Sequence, residues 1–145
     1  MILFSSALQL IVNIIIIMNS LIVDAAKDKI FLTHIVNKNI YTSGYENSKI
    51  NFERLILIIN EFLGNNKSSL DEIKVIYVNR GPGSFAGIRN SLATIKALFL
   101  TKKIDYYCFS FSDFGKSDKT KYEDVPYLCN KYKIKKNLIN PIYLS

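Results

Sequence analysis

The stretch that decides the fold runs from Lys74 to Lys102 and reads KVIYVNRGPGSFAGIRNSLATIKALFLTK. Its first six residues alternate and carry Val, Ile and Tyr, which predicts a β-strand over Lys74–Asn79. The turn Gly81–Gly83 ends this strand, and the Ser84 hydroxyl is well placed to cap a helix that follows. A strand, a glycine turn and a helix N-terminus gather free N–H groups at one point, which holds either an anion or close-packed backbone.

Two long apolar helices are predicted, one on each side of this strand in the sequence. Ser84–Lys102 has apolar residues at helical spacing, namely Phe85, Ile88, Leu92, Ile95 and Phe99. Because Phe85 and Ile88 both belong to this apolar set, we expect the loop before the helix to serve packing. Ile50–Leu63 has one apolar stripe and further apolar residues on other sides, the stripe being Phe52, Leu55, Ile56, Ile59, Phe62 and Leu63, with Leu57 and Ile58 outside it. A helix that is apolar nearly all round is deeply buried or serves a partner as well as its own core.

The second of these helices also has a row of small residues. Ala86, Asn90, Ala93 and Ala97 follow one another at spacings of three or four, along one side of the helix. Small side chains allow another helix to approach closely. The same row would equally suit a face turned toward the chain's own sheet, and the sequence leaves both interpretations open.

The remaining pattern is that of an α/β domain. Strands are predicted at Leu21–Val23, Lys29–Val36, Lys38–Ser43 and Tyr106–Phe111, with a turn at Asn37–Asn39 joining the second and third. The order β-β-β-α-β-α-β predicts an α/β fold with a mixed sheet. After Phe114 the chain becomes charged and Tyr-rich, with weak periodicity over Lys116–Lys136.

Composition sets broad limits on the class of protein. A length of 145 residues with 49% hydrophobic and 12% aromatic residues indicates one folded domain and excludes a disordered chain. The net charge of +7 suits contact with RNA or phosphate, but the lysines are dispersed and no arginine cluster is present. Cys108 and Cys129 form no CxxC pair, so a reducing compartment fits better than a disulfide scaffold.

Residues 2–17 are almost wholly apolar and form a unit of their own, distinct from the predicted domain. The stretch is shorter than the roughly 20 apolar residues of a membrane span, and no basic residue precedes it as in a signal peptide. We therefore expect Met18 to be the true first residue and the protein to be cytoplasmic. The alternative is a weak membrane segment, with the protein membrane-associated.

The sequence shows no recognisable metal site or serine-hydrolase motif. His34, the only histidine, is expected to be a surface or half-buried strand residue, and with two distant cysteines it makes no metal-ligand set. Ser84 is not in a G-x-S-x-G motif, because Pro82 and Ala86 occupy the glycine positions. No metal and no cofactor are therefore predicted.

Nucleotide binding is the remaining chemical alternative. Gly81-x-Gly83-x-x-Ala86 fits a relaxed dinucleotide fingerprint, but the acidic residue expected at the end of the next strand is missing, since Asp105 lies at its start. Arg89 could meet a phosphate or pair with an acidic residue across an interface. Asp24 ends the first strand, where some ATPases place a carboxylate, but the following AAKDK contains no glycine to admit phosphates.

The residues Gly81–Leu98, GPGSFAGIRNSLATIKAL, resemble the signature GPGSFTGhRhGhxhAKGL of the TsaB (YeaZ) family, in which h is apolar. Further segments are similar in the same order: LIVDAA to ILxIDTA, the helix start at Asn51 to His-Ser-Glu-x-Leu, Ile104–Phe114 to the strand leading to VSSLEAL, and Asn140–Leu144 to PxYLR. The departures from the family pattern are Ala86 for Thr, Ser91 for Gly, Asn51-Phe52 for His-Ser, and Ala25 for Thr.

The resemblance implies an actin-like, RNase H-like fold in a shortened family member. The lobe would span residues 18–114, preceded by the apolar extension 1–17 and followed by a basic tail, 115–145, in place of most of the second lobe. The implied function is a non-catalytic scaffold for N6-threonylcarbamoyladenosine modification beside the tRNA anticodon. It would pair with a TsaD-like catalytic subunit, and a TsaE-like ATPase and tRNA would act through the complex.

The resemblance also implies the residues that would carry this role. Pairing through the two long helices would use Leu55, Ile58, Ile59, Phe62, Ala86, Asn90, Ala93 and Ala97. The signature loop, serving packing or anion contact, comprises Gly81, Pro82, Gly83, Ser84, Phe85, Gly87 and Arg89. A homodimer through the same helices is an alternative assembly. The alternative function is a nucleotide-binding transferase or a glycoprotease-like hydrolase.

Overall fold

A mixed five-stranded sheet forms the centre of the protein in a computed structural model that describes residues 6–10, 18–115 and 119–143. The strands are β1 (Ser20–Asp24), β2 (Lys29–Val36), β3 (Asn39–Glu46), β4 (Val75–Asn79) and β5 (Asp105–Phe109). Their order is β3-β2-β1-β4-β5, with β1, β2 and β3 antiparallel and β1, β4 and β5 parallel. The predicted α/β class with a mixed sheet is confirmed.

The hairpin between β2 and β3 follows from its turn residues. Asn37 and Lys38 have positive φ angles of 49° and 69°, so the loop is a two-residue turn of the kind that matches strand twist. Val36 pairs with Asn39, and the pairing continues to Lys29 and Glu46. The strand β3 therefore extends three residues beyond the predicted end at Ser43.

The helices are α1 (Lys49–Glu53), α2 (Leu55–Asn65), α3 (Phe85–Lys102) and α4 (Val125–Lys131). The single helix predicted over Ile50–Leu63 is thus two helices, because Arg54 leaves helical geometry with φ −106° and ψ 19°. The prediction for α3 is confirmed, including its cap, since the Ser84 hydroxyl accepts from the Gly87 N–H at 3.1 Å. Lys103, in the left-handed conformation, ends α3.

The helices α1, α2 and α3 cover one face of the sheet. Their buried apolar residues join those of β1, β2 and β4 in the larger core cluster. Ile58 is buried, with 6% of its surface exposed, because it lies three residues after Leu55 on the same side of α2, whereas Ile56 is only partly buried. The predicted stripe was therefore wrong at these two positions.

The chain after β5 covers the opposite face of the sheet. Short 3-10 turns at Phe111–Phe114 and Tyr122–Asp124 lead into α4, whose Val125 and Cys129 pack in a second core cluster with Ile22, Tyr77 and Phe109. The segment that the sequence showed only as weakly periodic thus supplies part of the core. Cys108 and Cys129 are buried free thiols, and burial raises the pKa of Cys108 to about 11, which keeps it protonated.

The N-terminal region is described only in part. Residues 6–10 are helical. Within the described ranges, no helix has the length and apolar character to cross a membrane. The predictions for residues 2–17 fall largely on residues 2–5 and 11–17, which lie outside the described residues.

Candidate functional site: the signature loop and the outer helix face

The loop between β4 and α3 is built around a sharp turn. Asn79, at the end of β4, is buried, and its Oδ1 accepts a hydrogen bond from the Gly81 N–H at 2.9 Å. Gly81 has φ 107°, a left-handed value that favours glycine, and the Gly81–Pro82 peptide is cis. A Cβ on Gly81 would lie 2.8 Å from the Ile88 side chain and would also overlap the Ile142 carbonyl oxygen. The position therefore accepts only glycine.

The next two glycines let the start of α3 press against the end of β1. A Cβ built on Gly83 would overlap the carbonyl oxygen of Ala26, and one built on Gly87 would overlap that of Ala25. The Ser84 N–H donates to the same Ala26 carbonyl at 2.8 Å. This geometry favours the close-packing interpretation of the loop over the anion-binding one, since backbone occupies the space around these glycines.

Phe85 and Ile88, the first two apolar residues of the predicted repeat in α3, differ in burial. Ile88 is fully buried, as expected, but Phe85 is 59% exposed, so the expectation that it joins the core was wrong. Its ring instead meets Tyr143 of the C-terminal segment, with 4.8 Å between ring centroids. This ring partner comes from far along the chain, which local periodicity cannot show.

Arg80, which sequence analysis did not single out, ties the signature loop to the rest of the chain. Its guanidinium donates to both oxygens of Asp113, at 2.7 and 3.3 Å, and to the carbonyl of Asn140 at 3.0 Å. Its own carbonyl accepts from the Ile142 N–H at 2.8 Å. The C-terminal segment that resembles the family's PxYLR motif is thereby held across the loop, up to Tyr143, the last described residue.

Replacing Arg80 by leucine is expected to destabilise the chain by about 2 kcal/mol. The Arg80 and Asp113 side chains are each only 17% exposed, so the variant leaves a carboxylate short of its partner in a poorly solvated place. Urea unfolding followed by far-UV circular dichroism measures this difference. Arg89→Leu is the control, because Arg89 is exposed on α3 and its loss should change stability by less than about 0.5 kcal/mol. Equal effects of the two substitutions on stability would contradict the role of Arg80 in holding Asp113 and the C-terminal segment.

Asp24 is engaged inside the protein. It is fully buried at the end of β1, where Oδ2 accepts from the Tyr122 hydroxyl at 2.7 Å and Oδ1 accepts from the Ala26 N–H at 3.0 Å. Burial and the adjacent Asp24 carboxylate raise the pKa of Tyr122, so its hydroxyl remains a donor. Lys27 lies 3.8 Å from Oδ2 and completes the surroundings of the carboxylate.

His34 is fully buried in β2, and the prediction of a surface or half-buried residue was wrong. Its Nε2 donates to Oδ1 of Asn19 across 2.7 Å, while Nδ1 has no hydrogen-bond partner among the described residues. The ring packs near Tyr41 and Phe62. Across the described part of the chain, no three His, Cys, Asp or Glu side chains come together as metal ligands.

Burial makes His34 a source of acid sensitivity. Desolvation lowers its pKa below 6.5, and the Glu72 charge only partly opposes this. The unfolded chain therefore binds a proton that the folded chain does not, so stability is full above about pH 6.5 and falls as pH drops below it. We therefore expect a lower free energy of unfolding at pH 5.5 than at pH 7. When the free energy of unfolding in urea is measured at several pH values, His34→Gln should lack most of the decrease on acidification. An unchanged pH dependence in this variant would contradict the assignment of that decrease to His34.

The outer surface of the helix layer is apolar and small-residue rich. Ala86, Ala93 and Ala97 are exposed on α3 and Asn90 is half-buried, so the row of small residues faces away from the sheet. Large apolar side chains share this outer surface, with exposed fractions of 54–65%: Ile50, Leu57, Phe85 and Leu100. We call these eight residues the outer helix face.

Four other residues predicted for partner contact lie elsewhere. Leu55, Ile58, Ile59 and Phe62 are between 0% and 6% exposed, in the chain's own core. They therefore position α2 on the sheet and cannot reach a partner directly. Ile50 in α1 and Leu57 in α2 are the exposed large apolar residues of these two helices instead.

Comparison with known proteins finds similarity to one group of tRNA-modification proteins over part of the chain. The family model "TsaD: tRNA N6-adenosine threonylcarbamoyltransferase" matches residues 46–110. A protein of Buchnera aphidicola subsp. Baizongia pistaciae (strain Bp), described as "tRNA threonylcarbamoyladenosine biosynthesis protein TsaB", is 44% identical over 46 residues. That alignment covers 32% of this chain and 21% of the relative.

Solved structures show the same fold. YeaZ from Pseudomonas aeruginosa matches with a TM-score of 0.60 and 17% identity, covering 65% of this chain and 44% of that one. A second structure, an uncharacterised protein similar to peptidase YeaZ from the same organism, gives the same values. The fold is thus that of the actin-like YeaZ proteins, over less than half of their length. The sequence match is likewise to a TsaB protein, so the chain is similar to the TsaB (YeaZ) proteins in its fold and in part of its sequence.

Proposed function

We propose that this chain is a non-catalytic scaffold subunit in the N6-threonylcarbamoyladenosine modification of tRNA, beside the anticodon. It pairs with a TsaD-like catalytic subunit through the outer helix face. The observation that carries the proposal is this exposed apolar surface on α1–α3, in a chain whose curated relative is named for threonylcarbamoyladenosine biosynthesis. The proposed compartment is the cytoplasm.

The outer helix face suits a helical partner on physical grounds. Ala93 and Ala97 lie one turn apart, so a facing helix can approach the α3 backbone closely. Leu57 and Leu100, each more than half exposed, supply apolar area that is stabilised at about 25 cal/mol per Å² when a partner covers it. Exposed large apolar side chains on neighbouring helices are available to such a partner.

The accessory role is supported by how the polar groups near the loop are used. The Ser84 hydroxyl caps α3 by accepting from Gly87, and Asp24 is held by Tyr122. His34, the only histidine, is buried against Asn19 on the strand pair β1–β2. These groups serve the fold, so the proposal leaves the chemistry to the TsaD-like subunit. A TsaE-like ATPase and tRNA act through the complex, and self-pairing through the same face is the competing assembly.

The proposal is tested by the modified nucleoside itself. A strain depleted of its own TsaB-type protein is complemented with the full chain together with the TsaD-like subunit of the same organism. We expect threonylcarbamoyladenosine to return in digested tRNA, measured by liquid chromatography and mass spectrometry, and to stay absent when either chain is omitted. No recovery from well-expressed chains, or turnover by this chain alone that vanishes on Asp24→Ala, would overturn the scaffold role.

A further inference from the structure

A groove lies on the sheet face opposite the outer helix face, between α4 and the first residues of β4 and β5. Its volume is about 490 Å³, within the range of small-molecule sites. Tyr77 and Tyr107 line it, and their rings are stacked with centroids 5.3 Å apart and planes 12° from parallel. Pro126, Cys129 and Ile134 supply further apolar lining. The interior is thus broad, flat and apolar.

The polar lining of the groove is unevenly charged. The charged residues that line it are three lysines and one acidic residue: Lys74, Lys133, Lys136 and Asp105. Asp105 is already engaged, with Lys136 at 3.7 Å and the Asn137 amide at 2.9 Å. Lys74 and Lys133 are exposed and make no ion pair with any described residue. The groove therefore offers two uncompensated ammonium groups beside an apolar floor.

We propose that this groove binds a small organic anion that has a flat apolar body, such as an aromatic carboxylate, sulfonate or phosphate. The apolar body would lie against the tyrosine pair, and the acidic group would meet Lys74 and Lys133. The site is formed by the starts of β4 and β5, whereas the signature loop follows the end of β4. It is therefore separate from the surface assigned to the partner subunit and does not depend on that assignment.

A peptide strand is a poorer occupant of the same place. The edge of β5 is already covered, because the Asn137 N–H donates to the Tyr106 carbonyl at 2.8 Å and Asn137 Oδ1 accepts from the Tyr106 N–H at 2.9 Å. Tyr107 and Lys136 form a bridge beside this pair. The backbone groups of Tyr106 are therefore not available to pair with an added strand, so a ligand would be recognised by the side chains of the groove.

The test uses two dyes that share an aromatic body and differ in charge. The full chain is titrated with 8-anilinonaphthalene-1-sulfonate and with its uncharged analogue N-phenyl-1-naphthylamine, and fluorescence gives each dissociation constant and stoichiometry. We expect one saturable site for the sulfonate. The double variant Lys74→Gln/Lys133→Gln should weaken sulfonate binding about fivefold, as expected for two partly exposed charge pairs, and leave the neutral dye within about twofold.

A matched control separates a local effect from one of net charge. Lys67→Gln/Lys135→Gln removes the same two charges at exposed positions outside the groove, and Lys67 shares the left-handed φ of Lys133, 57° against 54°. It should bind the sulfonate like the parent chain. Equal weakening in both double variants, no weakening in either, or loss of the site with Leu57→Asp on the outer helix face would overturn the proposal. Near-UV circular dichroism confirms that each variant is folded.

Discussion

A chain with alanine in place of Gly87 is expected to lose a large part of its folding free energy. The added Cβ would overlap the carbonyl oxygen of Ala25, which is backbone at the end of β1 and has no rotamer to move to. The start of α3 would have to move away, weakening the hydrogen bond from Ser84 to Ala26. We expect a cost of about 3 kcal/mol, at the upper end of overpacking effects and a large share of a domain's total stability.

The measurement is the free energy of unfolding in urea for Gly87→Ala against Gly64→Ala. Gly64 lies in the last turn of α2, and an added Cβ there meets nothing within 4 Å. Alanine at Gly64 should therefore stabilise the chain by about 0.5–1 kcal/mol through helix propensity. Similar stabilities of the two variants would contradict the close contact between α3 and β1.

The second large effect is expected on partner binding. Ala93→Glu adds volume and a charge at the centre of the outer helix face, where a closely approaching helix would leave the carboxylate buried without a partner. We expect at least about a hundredfold loss of affinity for the TsaD-like subunit, which corresponds to about 2.7 kcal/mol. The fold should be unaffected, because Ala93 is exposed and its neighbours Arg89 and Lys96 are cationic.

A charge-matched variant controls for this second prediction. Asn130→Glu places the same charge on the exposed side of α4, on the opposite face of the sheet. Surface plasmon resonance with the TsaD-like subunit immobilised should show parent-like binding by Asn130→Glu and none measurable by Ala93→Glu. Parent-like binding by a folded Ala93→Glu chain would remove α3 from the interface.

Local patterns predicted most of the fold. The predicted bounds of β2 match to the residue, and the Ser84 cap with its apolar repeat defined α3, because these signals lie within a few residues of one another. The order of elements was sufficient for the mixed sheet, since short connections leave few topologies open. The family signature then matched the loop that the structure shows as glycines packed against β1.

What the sequence did not predict depends on distant partners. Phe85 packs against Tyr143, 58 residues later, and Arg80 gains its role from Asp113, 33 residues later. The buried His34 finds its hydrogen-bond partner in Asn19, just before β1, which no pattern within β2 reveals. The error at Ile58 is local by contrast, since Ile58 lies three residues after Leu55 and four before Phe62, on the face of α2 that the structure buries.

The most direct test of the scaffold role is the assembly itself. The full chain is co-expressed with the TsaD-like protein of the same organism, purified through a tag on that protein, and examined by size-exclusion chromatography with light scattering. The account predicts a one-to-one complex that Ala93→Glu abolishes and Asn130→Glu preserves. A folded chain that never co-elutes with the TsaD-like protein, or that forms only a homodimer, would contradict it.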